Sequence, residues 1–168
     1  MHTAMLRLAQ GMAVLGGTVL SLLILMTCVS IVGREIGLGP IPGDFEMVEA
    51  GVAFAIFAFI PLCQITSGHA TVDIFANRFP PGLSRIMRAV TELVFALVLI
   101  LIAWRLGSGT LSKLNVGETS FILQFPVWWA FGASFAGSVI AAFVGVYMAG
   151  VRIAEAAQGR PLIPEGEP

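Results

Sequence analysis

The chain has 168 residues, of which 57% are hydrophobic and 11% charged, and its formal net charge is -1. Soluble domains carry about 25% charged residues, so this composition excludes an ordinary water-soluble fold and points to the lipid bilayer. The nine basic residues form no aromatic-interleaved stripe, which excludes nucleic acid as a partner.

In chain order, a short N-terminus with Arg7 and His2 leads into an uncharged apolar run, and a first span is expected over about residues 12–33. A signal peptide would have a shorter apolar core and a polar mature domain behind it, whereas here a second apolar segment follows, so the span reads as uncleaved. The connecting stretch, residues 33–49, sets Arg34 at the end of the first span and Glu46 and Glu49 at the start of the second. Hydrocarbon tolerates such charges only when they are paired or face protein. Two readings stay open: an interspan or intersubunit ion network, or simple anchoring of helix ends.

The second span is expected over about residues 46–67, with Asp44 as N-cap and the first-turn carboxylates matching the helix dipole. Pro61 falls near the exit, where a kink costs least. Cys28 and Cys63 lie inside apolar segments at opposite depths, too far apart for a disulfide, and read as small buried hydrophobes. Next, Ile74, Phe75 and Phe79 recur at helical intervals ahead of Pro80-Pro81-Gly82, which predicts a short helix lying in the interface with Asp73, Asn77 and Arg78 on its polar side.

The third span is expected over about residues 86–106. Its one internal charge is Glu92, four residues after Arg88 and seven after Arg85, on the same face. That spacing fits either an ion pair near the headgroups or contact with a partner subunit or a lipid headgroup. Residues 106–124, with Gly107, Gly109 and Gly117, read as a loop. Pro126 then suits a first helical turn and Trp128-Trp129 an interfacial belt, opening a fourth span over about residues 126–150. Within it Ala133, Gly137, Ala141 and Gly145 form a small-residue stripe of the kind that lets another helix approach closely. Ala13, Gly17 and Ser21 form a looser stripe in the first span. The polar tail, residues 151–168, is expected to be largely disordered.

The predicted fold is therefore an all-α integral membrane protein: one four-helix domain with a short interfacial helix between the second and third spans. Arg7, Arg78, Arg85, Arg88, Arg152 and Arg160 outnumber Arg34, Arg105 and Lys113 on the other side, which favours both termini in the cytoplasm.

No catalytic constellation can be assembled from these residues, and no cofactor or metal is implied. His2 and His69 lie outside the spans, where a haem-carrying bundle needs facing histidines within them. His69 and Asp73 read as a cap and loop contact rather than metal ligands. Secondary transporters bury polar groups at the bilayer midplane, but here the span centres are apolar or small. An accessory subunit whose charged mouths meet a partner is the natural reading.

Several ordered motifs carry a resemblance: the Gly33-Arg34 exit followed by Glu46-x-x-Glu49, then His69-Ala70-Thr71-Val72-Asp73 with Arg78-Phe79-Pro80 behind it. The Gly117-Glu118-Thr119-Ser120 stretch leading to Pro126-Val127-Trp128 completes the set. Over residues 33–150 the chain resembles the small, DctQ-like membrane subunit of tripartite ATP-independent periplasmic (TRAP) transporters. It departs from that family in carrying Phe45 where a tryptophan often precedes the acidic pair. The resemblance implies a bacterial inner-membrane subunit without catalysis, set in lipid against a large permease subunit that holds the sodium and substrate sites. A periplasmic substrate-binding protein would deliver an organic acid to the pair. Two alternatives are a membrane anchor of a redox or other enzyme complex, and a small homo-oligomeric transporter or channel.

Overall fold

Every long apolar run of the chain is helical, because a backbone placed in hydrocarbon must satisfy its N–H and C=O groups internally. The computed structural model of the chain describes residues 2–66 and 81–158, the side chains of 81–85 apart. Among the described residues there are four helices: α1 (His2–Glu35), α2 (Asp44–Ile65), α3 (Pro81–Val116) and α4 (Trp128–Gln158). All four are long and apolar enough to cross a membrane. The expected interfacial helix, the His69 and Asp73 pair, Arg78 and residues 159–168 of the tail fall outside the described residues.

The helices stand in a row: α1 packs along α2, α2 along α4 and α4 along α3, and α1 meets α4 only briefly. Consequently α4 is the most buried helix and α1 the most exposed. Small residues set the spacing. A Cβ at Gly16 of α1 would sit 2.9 Å from the Cβ of Ala58 on α2, and one at Gly137 of α4 would sit 3.0 Å from the Cβ of Phe57. In the α4 stripe Gly137, Ala141 and Gly145 are buried and Ala133 is exposed. On α1 the closest approach is at Gly16 rather than along Ala13, Gly17 and Ser21. Thr18, Ser21 and Thr27 return their hydroxyls to carbonyls one turn back, each at 2.8 Å, so none exposes an unmet donor to lipid.

Three features differ from the sequence reading. First, α3 continues through residues 106–116, where a loop was expected. Gly107 and Gly109 do not break the helix; they make room for Phe135 and Phe131 of α4, which would stand 2.9 Å and 3.2 Å from added Cβ atoms. Second, α4 runs on to Gln158, since residues 151–158 bury Arg152 and Glu155 against the bundle. Third, Cys28 and Cys63 are exposed on the outside of the row rather than buried. A row of helices has more outer surface than a square bundle, and both side chains point to it.

Candidate functional site

The charges that frame the α1–α2 connection are organised by two carboxylates, each reaching across to another segment. α1 ends by folding back on itself: the Gly33 carbonyl accepts the N–H groups of Leu38 at 2.9 Å and Gly39 at 3.1 Å. The turn into α2 is made by Gly43 at φ 77°, a left-handed conformation that favours glycine, and a Cβ there would collide with the Leu123 side chain.

Gly43, not Asp44, is the N-cap of α2. The Asp44 carboxylate is drawn sideways instead. It accepts the Ser30 hydroxyl at 2.5 Å and the Phe45 N–H at 2.7 Å. Ser30, only 2% exposed, in turn accepts the Ile41 N–H at 3.2 Å. One serine near the end of α1 thus fixes both the connection and the start of α2.

Glu46 makes the longer reach. Its carboxylate accepts the Ser120 hydroxyl at 2.8 Å and the N–H groups of Ile122 at 2.7 Å and Leu123 at 3.0 Å. Those donors belong to the α3–α4 connection, which is itself shaped to present them. The Ser120 N–H donates to the Phe125 carbonyl at 2.9 Å and the Val127 N–H to the Glu118 carbonyl at 3.0 Å, around a bridge between Thr119 and Pro126. Gln124, at φ 55°, donates its side-chain amide to the Phe121 carbonyl at 2.9 Å and accepts the Thr119 hydroxyl at 3.0 Å. Lys113 at the end of α3 pairs with Glu118. The tip is a concavity of backbone N–H groups, a natural anion site, and Glu46 is the anion that fills it.

This clasp gathers the two connections at one mouth of the bundle and leaves an apolar crest above it. Phe121 is 91% exposed, Leu38 82% and Phe45 75%. Trp128 and Trp129 lie beside the crest, packed edge to face at 6.2 Å, as in an interfacial aromatic belt. Large apolar side chains exposed at one mouth suit a surface that meets protein or lipid.

Among the sequence candidates, Glu46 is the organising residue, but its partner is the α3–α4 connection. Neither Arg34 nor Glu49, both exposed, forms an ion pair with it or with one another. Arg34 has its electrostatic influence on Asp44 across the connection. Among the described residues Arg34, Glu46 and Glu49 therefore form no ion pair with one another.

At the opposite mouth Glu92 is bonded across the bundle. The side-chain amide of Gln64, wholly buried on α2, donates to the Glu92 carboxylate at 3.2 Å. Gly145 of α4 leaves room for that amide, which would lie 3.2 Å from a Cβ. Arg88 is exposed one turn before Glu92, and the Arg85 side chain is outside the described residues. A second polar feature at this end is the Arg152 to Glu155 pair on α4, 2.8 Å apart with side chains 10% and 7% exposed. Its i, i+3 spacing is visible in the sequence, but only if the helix is carried past residue 150. Among the described residues no three His, Cys, Asp or Glu side chains come close enough to hold a metal.

Four spanning helices, acidic residues opening the second and a structured approach to the fourth match the order of motifs quoted above. The sequence profile of the DctQ component of tripartite ATP-independent periplasmic transporters matches residues 23–155. No curated protein and no solved structure gives a significant match to the chain. The matched stretch runs from the middle of α1 to the Arg152 to Glu155 pair, and over it the chain belongs to the DctQ family, the small membrane component of TRAP transporters.

Proposed function

We propose that this subunit is a non-catalytic scaffold of a sodium-coupled importer of organic acids. It braces the large permease subunit in the bacterial inner membrane and contributes to the surface on which a periplasmic substrate-binding protein docks. Both termini lie in the cytoplasm, so the mouth clasped by Glu46 faces the periplasm. The observation that carries this reading is the clasp itself. Glu46 spends its acceptors on the loop groups Ser120, Ile122 and Leu123, which ties the two outward loops into one platform. The side chains of Gln64 and Glu92 are bonded to each other toward the other mouth.

The test is genetic. In cells that keep the large subunit and the binding protein, removing this chain should abolish sodium-dependent uptake of an organic acid, and returning it should restore uptake. Full uptake without it would overturn the scaffold role.

A further inference from the structure

Beside the clasp, α2, α3 and α4 enclose a groove of about 890 Å³. Its walls are apolar, with Ala53 and Phe57 on α2, Leu106 on α3 and Phe131 on α4. Most of the polar groups at its rim are already engaged: Glu46 with Ser120, and Lys113 with Glu118. Glu49 is the exception, since it takes part in no hydrogen bond or ion pair among the described residues.

Deeper in, Ser134 lines the groove, and its hydroxyl is buried without a partner, the residue being 3% exposed. That is unusual within this chain. The hydroxyls of Thr18, Ser21, Thr27, Thr110 and Ser138 all bond to backbone carbonyls three or four residues back. A buried, unmet hydroxyl is destabilising unless something else supplies the partner. On the facing wall Phe57 of α2 lines the groove. Glu49 and Phe57 are eight residues apart on α2, about 12 Å along the axis at about 1.5 Å per residue.

We propose that this groove is a socket for a segment of the large membrane subunit, one that presents an Arg or Lys side chain to Glu49 and a further hydrogen-bond donor to Ser134. The inference rests on the small-subunit reading above and names the surface through which the bracing is done. The unmet groups are a carboxylate at the rim and a hydroxyl deeper in, so the occupant must bring donors at both depths while covering aromatic walls. The long basic side chains combine an apolar stem with a charged donor head. A lipid acyl chain would cover the walls but leave Ser134 unmet.

The experiment places the photo-cross-linking residue p-benzoylphenylalanine at Phe125, on the groove wall, in membranes that contain the assembled transporter. The expected product is an adduct with the large subunit. It should be lost when Ala53→Trp fills the groove and kept when Val139→Trp is placed on the exposed face of α4. Glu49→Lys should reduce co-purification of the large subunit about tenfold or more, because it sets like charges against each other in a desolvated contact. An adduct with lipid alone, or none with the large subunit while the two subunits still co-purify, would overturn the socket and leave the scaffold reading standing. Failure of the wild-type chain to co-purify with the large subunit would overturn both.

Discussion

The Glu46 carboxylate on α2 accepts the Ile122 N–H at 2.7 Å, from a connection that follows it by 76 residues. This bond, with those from Ser120 and Leu123, is what makes one mouth of a four-helix row into a defined surface. Removing the acceptor should free the connection without unfolding the helices. Glu46→Ala is expected to speed protease cleavage within residues 118–127 several-fold while leaving helical content unchanged, and Glu46→Gln to fall between it and wild type. Limited proteolysis and circular dichroism on the same samples check this.

Close packing at Gly145 predicts a different outcome. A side chain there meets the Gln64 amide and Leu99 at 3.2 Å. Gly145→Leu should lower stability by about 1–3 kcal/mol, the usual cost of overpacking. Gly150→Leu, where nothing lies within 4 Å, should not. Thermal unfolding in detergent separates the two.

The Gln64 to Glu92 bond joins α2 to α3 inside the bundle. Interhelical hydrogen bonds in membranes are worth about 0.6 kcal/mol on average and up to about 1.7. A double-mutant cycle with Gln64→Leu and Glu92→Leu should therefore return a coupling of about 0.5–2 kcal/mol. A value of zero would show that the contact is held by its surroundings rather than contributing to them.

The Arg152 to Glu155 pair is more deeply enclosed. Losing one member leaves the other charge buried, at a typical cost of about 3–5 kcal/mol, whereas an apolar replacement of both is often close to neutral. Arg152→Met alone should thus be more destabilising than Arg152→Met combined with Glu155→Leu. Denaturation midpoints in a common detergent give the order.

How far the sequence foretold this arrangement depended on what kind of group makes each contact. The four spans are legible because uncharged apolar runs admit no other structure in lipid. The overshoot of α3 is not, because Gly107 and Gly109 look like breakers until Phe135 and Phe131 are seen against them. Glu46 stands out in the sequence as a charge at a helix mouth, yet its partners include backbone N–H groups, which leave no mark on residue identity. Arg34 and Glu49 are equally conspicuous, but spacing alone leaves open whether they join an interspan or intersubunit network or only anchor helix ends. Gln64 was hidden for another reason: a glutamine near the end of an apolar run looks like the start of the exposed loop, whereas it is wholly buried.

The orientation has its own check. In a background with Cys28 and Cys63 removed, Phe121→Cys sits on the 91% exposed crest. A membrane-impermeant maleimide added from the periplasmic side should label it. Labelling only after the inner membrane is permeabilised would place that mouth in the cytoplasm.

Solute accumulation in proteoliposomes tests most directly whether this subunit supports transport without carrying cargo. With an inward sodium gradient and a loaded binding protein outside, vesicles holding both the large subunit and this chain should accumulate an organic acid, and vesicles holding this chain alone should stay at background. Accumulation by this chain alone would contradict the scaffold role.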